Sequence, residues 1–242
     1  MLSRFVLLIL LAVSSLLGVS AFAKEPFKEE GCWEVGLSFG EIPILAGSFK
    51  PAFSVGYKFN EHFRVKMVMQ QDDYLHRNQS SFNAQNTGLT GLQSSREHTG
   101  MRFFMGFDYR PTKWSPYISA GIVIDRDDVE TMRFDHRERT IGDGTYTSEV
   151  KVVQTRKAGW GPAFGLGYDV PVNDRASYNI GMAMVLFGAM PVPEVEIHSD
   201  SPLSPEDEEA LRRDIREQFK SNFHNHYHIF NLGLTYKFRG GK

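Results

Sequence analysis

Cysteine is nearly absent from this sequence: Cys32 is the single cysteine among 242 residues, so no disulfide bond can form within the chain. An excess of charge of either sign is also missing, with 27 Lys and Arg residues against 29 Asp and Glu residues. Nucleic-acid-binding proteins usually have a strongly basic composition, so this near balance predicts that the protein has no nucleic-acid partner.

Long apolar runs are missing too, except at the N-terminus, where residues 5–19 are almost entirely apolar. Arg4 precedes this run and an Ala-Phe-Ala pattern ends it at Ala23, as in a secretory signal peptide. We therefore predict a signal peptide at residues 1–23 and one mature domain at residues 24–242. No stretch of that domain reaches the ~18 apolar residues of a membrane helix, which leaves a β-barrel as the only way to span a membrane.

The mature chain consists largely of stretches in which apolar residues alternate with small or polar ones, which is the period of a β-strand. In the first stretch, Trp33 and Val35 alternate with Glu34 and Gly36. The connections between these stretches alternate between short and long, as they do in an up-and-down barrel. Eight strands are predicted, at residues 33–39, 53–59, 63–70, 101–110, 118–125, 158–168, 178–186 and 229–238.

The last strand carries a specific pattern, with a polar residue at Asn231, glycine at Gly233 and aromatic residues at Tyr236 and Phe238. This pattern resembles the terminal β-signal of bacterial outer-membrane barrels. The chain departs from the usual signal in continuing with residues 239–242 after the final aromatic residue. The resemblance implies that the barrel-assembly machinery reads this strand and that the strand closes the barrel on the first one.

The whole mature chain resembles the OmpA-, OmpX- and OmpW-like barrels of Gram-negative outer membranes. The resemblance implies an all-β fold, an eight-stranded antiparallel up-and-down transmembrane β-barrel. It also implies a location in the outer membrane, with outer-membrane lipid and lipopolysaccharide as neighbours, the barrel-assembly machinery as a partner, and an extracellular ligand of unknown identity.

One short helix is predicted in the last extracellular loop, at residues 204–220. Ser204 is a suitable N-cap, and Pro205 fits the first helical position. Leu211 and Ile215 lie on one apolar stripe of this helix. The helix is expected to rest on the barrel rim, with a lid or a partner-binding helix as the alternative.

Aromatic residues gather next to the short turns, which predicts a girdle at one membrane interface. The predicted interfacial aromatic residues are Phe59, Phe63, Tyr109, Trp114, Tyr168, Tyr178, Tyr236 and Phe238.

Charged residues on the small and polar side of the strands are predicted to point into the lumen. An eight-stranded barrel has little internal space, so these side chains should plug the lumen as a salt-bridge network; the alternative is an ion-selective path. The predicted lumen network consists of Glu34, Lys66, Arg102, Asp125 and Lys157.

A secreted lipocalin-like carrier is the main competing fold, because lipocalins also have eight strands and Gly31-Cys32-Trp33 resembles their Gly-x-Trp motif. A lipocalin turns its polar face to water. Glycine is abundant on that face of residues 159–167, which suits a narrow lumen better than a water-facing surface.

No catalytic, cofactor or metal site is predicted. His224, His226 and His228 share one face and could hold a metal, but no carboxylate or thiol in that segment completes a ligand set, so an interfacial role is favoured. The acidic residues 125–130 lack the spacing of an EF-hand loop. No nucleophile–base pair is visible, which argues against an enzyme.

The expected function is that of a structural or adhesive surface barrel, acting through long extracellular loops at residues 71–97, 126–154 and 188–226. Residues 126–154 are expected to form a hairpin that continues the barrel strands outward. The alternatives are a small-molecule channel or carrier, a lipid A-modifying enzyme and the lipocalin-like carrier.

Overall fold

The computed structural model describes residues 31–39, 50–77, 87–112, 115–185, 191–221 and 228–239. The predicted signal peptide, Trp114, His224 and His226 lie outside the described residues. In the described part of the chain, no helix is long and apolar enough to cross a membrane.

The described residues form eleven strands and one helix. In chain order these are β1 (Cys32–Phe39), β2 (Pro51–Lys58), β3 (Phe63–Arg77), β4 (Leu92–Tyr109), β5 (Tyr117–Asp125), β6 (Asp128–Ile141), β7 (Gly144–Arg156), β8 (Gly159–Pro171), β9 (Ala176–Val185), β10 (Glu194–Ser199), α1 (Pro205–Ser221) and β11 (His228–Arg239).

Eight of these strands close into a ring in the order β1, β2, β3, β4, β5, β8, β9 and β11. Every neighbouring pair in the ring is antiparallel. The ring closes where β11 pairs with β1, in a register that places Phe238 opposite Trp33. The predicted eight-stranded antiparallel barrel is therefore confirmed, and its closure leaves no unpaired edge in the wall.

The alternating pattern explains which side of each strand faces out. Large apolar side chains are exposed on the outer surface, whereas the residues between them face the narrow lumen. This exposed apolar belt includes Trp33, Leu37, Phe53, Met105, Phe107, Ile118, Ile122, Trp160, Phe164, Leu166, Ile180 and Met182.

The wall continues beyond the ring on one side of the barrel. Along β4, Arg102 pairs with Asp125 of β5, and Thr99 pairs with Asp128 of β6, so β6 continues the course of β5. β7 pairs with β6, and β10 adds to β7. We call β6, β7, β10 and the outer halves of β3 and β4 the extension sheet.

The hairpin expected within residues 126–154 is confirmed as β6 and β7. Its turn contains Gly142 at φ +58°, a left-handed conformation that suits glycine. The prediction of a loop at residues 71–97 is wrong at both ends, because β3 runs to Arg77 and β4 begins at Leu92. These segments are rich in charge, which hides their alternation, yet their backbones pair with each other.

Helix α1 begins as predicted: the Ser204 hydroxyl accepts a hydrogen bond from the Asp207 N–H at 3.1 Å. Its apolar stripe packs on the extension sheet, not simply on the barrel rim. We call the helix and the extension sheet together the subdomain. They enclose a hydrophobic core outside the barrel lumen, the second hydrophobic core of the protein. It is formed by Met132, Phe134, Ile141, Val150, Val152, Val195, Leu211 and Ile215.

Candidate functional site

The lumen has two ends, which we name by their connections. The turn end carries the short connections between β2 and β3, between β4 and β5 and between β8 and β9, and the loop end carries the subdomain.

Arg64, near the start of β3, is the centre of a charged cluster at the turn end. Its guanidinium donates to Asp108 of β4 (Nε to Oδ2, 2.8 Å), to Glu34 of β1 (Nη1 to Oε2, 3.0 Å) and to Asp169 of β8 (Nη1 to Oδ2, 3.1 Å). Arg64 is only 9% exposed. Burying a charge is costly unless it is paired, so these three carboxylates are what allows the guanidinium to lie inside the barrel.

Further polar contacts complete this Arg64 cluster. Lys66 Nζ lies 3.1 Å from Asp108 Oδ2, and the Ser119 hydroxyl donates to Asp108 Oδ1 at 2.6 Å. Arg110 forms an ion pair with Asp169. Each of the two aspartates is therefore shared by two cations. With Glu34 and Ser119 included, the cluster links five strands across the lumen: β1, β3, β4, β5 and β8.

Tyr117 provides an aromatic surface beneath the same cations. Lys66 Nζ lies 4.5 Å from the ring centroid, and the guanidinium carbons of Arg64 and Arg110 lie 4.8 Å and 5.6 Å from it. These are cation–π distances, and the ring is fully buried. Tyr117 thus fills the lumen while partly compensating the cations.

A cavity of ≈ 340 Å³ opens from the Arg64 cluster to solvent at the turn end. We call it the vestibule. Besides the cluster, its walls carry further ionisable side chains, among them Lys58, Glu61, Asp174 and Lys237. The vestibule is blind, because the Arg64 cluster forms its floor.

An apolar layer crosses the lumen beyond the Arg64 cluster. A space of ≈ 20 Å³, about enough for one water molecule, lies beside Arg64, Lys66 and Val68. The buried side chains of the cluster and of the layer both lie in the lumen. The layer is formed by the buried side chains of Ala52, Val68, Phe104, Val123, Ala163, Ala183, Val185 and Ile229.

A second charged cluster lies at the loop end. Arg102 donates to Asp125 (Nε to Oδ2, 2.8 Å) and to Asp128 (Nη2 to Oδ2, 2.9 Å), and Arg156 also pairs with Asp128. The lumen therefore consists of an apolar layer between two ion-pair networks. The sequence predicts that ion pairs fill the lumen, but it does not predict the apolar layer between them.

Comparison with known proteins supports the fold. No protein-family model matches the sequence, and no curated protein sequence is significantly similar to it. The crystal structure of Acinetobacter baumannii CarO matches with a TM-score of 0.56 at 13% identity, covering 85% of this chain and 97% of the CarO chain. A. baumannii CarO2 matches with a TM-score of 0.58 at 10% identity, covering 86% and 98%.

The fold is that of the bacterial outer-membrane β-barrels. At these identities the similarity concerns the fold alone.

In this barrel, four of the residues predicted for the lumen network do line the lumen: Glu34, Lys66, Arg102 and Asp125. The prediction for Lys157 is wrong. Its side chain is 53% exposed and lies 3.6 Å from Glu194, because the chain leaves the strand pattern between β7 and β8.

Sequence reasoning missed the centre of the network. Arg64 and Asp108 both lie on the lumen side of predicted strands, so the alternation could have identified them. Asp169 follows the predicted strand at residues 158–168, whereas β8 continues to Pro171, so alternation within the predicted strand did not include it. Tyr117 was missed because the predicted strand begins at residue 118, whereas β5 begins at Tyr117.

The girdle residues that the structure describes lie near the turn end. Tyr236 lies on the outward-facing side of β11 according to the alternation, but it is only 7% exposed. Its ring packs against that of Phe238, with centroids 5.0 Å apart. At the opposite edge of the belt, Trp160 is exposed beside Ile124 of β5, a position absent from the predicted set. The exposed girdle residues are Phe59, Phe63, Tyr109, Tyr168, Tyr178 and Phe238.

The residues of the predicted assembly signal divide between the two faces of β11. Asn231 and Gly233 are on the lumen side, and Tyr236 and Phe238 are on the outer side. Gly233 pairs with Ser38 of β1, and a Cβ atom at Gly233 would collide with the backbone and side chain of β1. Closure of the barrel thus requires glycine here, whereas recognition by the assembly machinery stays a prediction.

The histidine row is only partly described. His228 opens β11 opposite Met184. Within the described residues, no group of three or more His, Cys, Asp and Glu side chains has the arrangement of a metal site.

Asp207 joins helix α1 to the tip of the β6–β7 hairpin. Its carboxylate accepts hydrogen bonds from the Asp143 N–H at 2.9 Å and from the Tyr146 hydroxyl at 2.5 Å. These bonds, led by that from Tyr146, hold the pKa of Asp207 below its usual value. The contact therefore depends on a deprotonated carboxylate.

The subdomain should consequently loosen in acid. A depressed pKa in the folded state stabilises the fold above the unfolded pKa, about 3.9 for Asp, and this contribution is lost as the pH falls below it. We expect hydrogen-exchange protection of the α1 amides, corrected for intrinsic exchange, to fall between pH 6 and pH 3. Asp207→Asn should show low protection at both pH values. An equal acid-induced loss in the variant would contradict the role of Asp207.

Proposed function

We propose that this protein is a closed outer-membrane barrel that displays a rigid extracellular subdomain for surface binding. The observation that supports this best is the second hydrophobic core, formed by residues such as Phe134, Val150 and Ile215. Ring closure needs none of these residues, because the eight ring strands close without β6, β7, β10 and α1.

A rigid subdomain suits a binding role, because binding residues usually lie on connections that a scaffold holds in place. The hairpin, β10 and α1 are packed rather than free, so a partner would not have to order them on binding, which lowers the entropic cost of association. The short turns lie on the periplasmic side in barrels of this kind, which supports an extracellular position for the subdomain.

The side chains that fill the lumen also favour a binding role over the transport of a solute. A solute would have to pass the Arg64 cluster and the apolar layer around Val68 and Phe104. An eight-stranded ring has just enough interior to be filled by side chains, so opening it would require several of them to leave their packing.

Two measurements test this proposal. The purified mature protein in a planar bilayer should show no steady conductance. Whole cells that display it should bind targets on protein and glycan arrays, and cells with residues 128–156 replaced by a short Gly-containing turn should lose that binding. Both proteins should still migrate as folded barrels before boiling. Stable single-channel steps, or equal binding after truncation, would contradict the proposal.

A channel or carrier is the second candidate, favoured by the vestibule of ≈ 340 Å³ on the periplasmic side. Its mixture of cations and carboxylates suits a small zwitterionic solute. Transport would require the apolar layer to move, so the same conductance measurement, with added amino acids, separates the two candidates. An enzyme acting on lipid A is not proposed, because the sequence offers no recognisable nucleophile–base pair.

A further inference from the structure

A shallow groove of ≈ 630 Å³ lies on the face of the extension sheet that is turned away from helix α1. It is lined by Leu75, Ser94, Arg96, Thr131, Arg133 and Lys151.

Strand register brings its cations together. Arg133 of β6 lies opposite Ser94 of β4 on one side and opposite Lys151 of β7 on the other. Arg96 lies in the next row of the same face, opposite Thr131. Three cations from three neighbouring strands, together with two hydroxyl groups, therefore face one groove.

Two of these cations, Arg133 and Lys151, lie outside the ion pairs that the protein forms with its own carboxylates among the described residues. Arg133 and Lys151 form no ion pair or hydrogen bond with the side chains that the structure describes. The nearby carboxylates of β10 have other neighbours: Glu194 is 3.6 Å from Lys157, and Glu196 is 3.8 Å from His198. The groove thus presents positive charge without internal compensation at its centre.

The groove lies directly above the membrane-facing wall. Outward-facing residues continue from Ile124 of β5, at the upper edge of the belt beside Trp160, to Thr131 and Arg133 of β6. Thr131 follows Ile124 by seven residues. That separation is about 23 Å along a strand, or roughly 15 Å of height for a strand tilted by about 45°.

We propose that this groove binds the phosphorylated sugar headgroup of an outer-leaflet glycolipid. Such headgroups extend beyond the hydrocarbon over this height and carry phosphate and carboxylate groups. Arginine guanidinium groups match phosphate oxygens in a bidentate geometry, and hydroxyl groups such as that of Thr131 add neutral donors. Because the sheet face is continuous with the lipid-facing belt, a lipid embedded beside the barrel reaches it without leaving the membrane.

This site is independent of the proposed surface binding, since it occupies the lateral face of the subdomain and uses a membrane component as ligand. It also gives the subdomain a fixed contact with its surroundings on the side opposite the helix.

The test uses the folded mature protein in neutral detergent and purified lipopolysaccharide as the probe. Arg133→Gln combined with Lys151→Gln should weaken binding by at least about tenfold, the loss expected from removing two charge-assisted contacts. The matched control, Arg213→Gln combined with Arg216→Gln, removes two cations from α1 and should bind as the wild type does. Chemically dephosphorylated lipopolysaccharide should bind wild type and groove variant equally weakly.

Gel mobility before boiling shows that all variants are folded barrels. Equal binding by the groove variant and the control, or binding that does not depend on the phosphates, would overturn the proposal. A third arm uses soluble polyphosphate with the protein in phosphatidylcholine vesicles. If wild type captures polyphosphate as tightly as it captures the lipid, the groove is a site for soluble polyanions and the lipid assignment fails.

Discussion

Arg64→Met is expected to lower the free energy of unfolding of the barrel by about 3–5 kcal/mol, because it leaves buried carboxylates without their cation. Glu34, Asp108 and Asp169 all form ion pairs with this one guanidinium and accept its hydrogen bonds. Lys66 and Arg110 can compensate the two aspartates only in part. Urea unfolding in lipid vesicles, followed by the mobility of unboiled samples on a gel, measures the effect.

Two controls sharpen this expectation. Arg213→Met removes an exposed arginine from α1 and should change the free energy of unfolding by about 0.5 kcal/mol or less. Arg64→Lys keeps the charge but loses the forked geometry, so it should fall between wild type and Arg64→Met. A loss below about 1 kcal/mol for Arg64→Met would show that the cluster is hydrated and weakly coupled.

Phe164→Arg is the second variant with a large expected effect. Phe164 lies on the outer face of β8, midway between Trp160 near one edge of the belt and Tyr168 near the other. An arginine at the middle of the hydrocarbon costs about 2–4 kcal/mol in barrels of this type. Folding yield and unfolding free energy in lipid vesicles should both fall.

The matched control is Val172→Arg, which changes an exposed apolar residue in a short turn at the turn end of the barrel. A charge near the interface should cost about 0–1 kcal/mol. Equal losses for Val172→Arg and Phe164→Arg would mean that the apolar belt does not contact lipid hydrocarbon.

The ring was predictable because its period is simple. In β1, Trp33 and Leu37 face out while Glu34 faces in, and a two-residue period needs no tertiary information. The outer halves of β3 and β4 were not predictable in this way. Around Arg96, both the buried residues, such as Glu97, and the exposed residues are polar. The two faces of the strand therefore cannot be told apart by residue type.

The site was harder to predict than the fold. Alternation indicates that Arg64 and Asp108 face the lumen, but it does not show that Asp169, far along the chain, reaches the same guanidinium. The apolar layer was missed for a related reason. Val68 and Phe104 lie at lumen positions, where polar or small residues are expected. In the sequence, a hydrophobic residue at such a position looks like an interruption of the alternation and does not indicate packing inside the lumen.

Strand β4, running from Leu92 to Tyr109, carries a mechanical consequence. It pairs with β3 along most of its length and with β6 and β5 in succession on its other edge, so no hinge separates the subdomain from the barrel wall. A force pulling outward on a bound subdomain acts nearly along these strands and loads their perpendicular hydrogen bonds in shear, all at once rather than one after another. The barrel can therefore serve as an anchor under tension, with β4 as its tether.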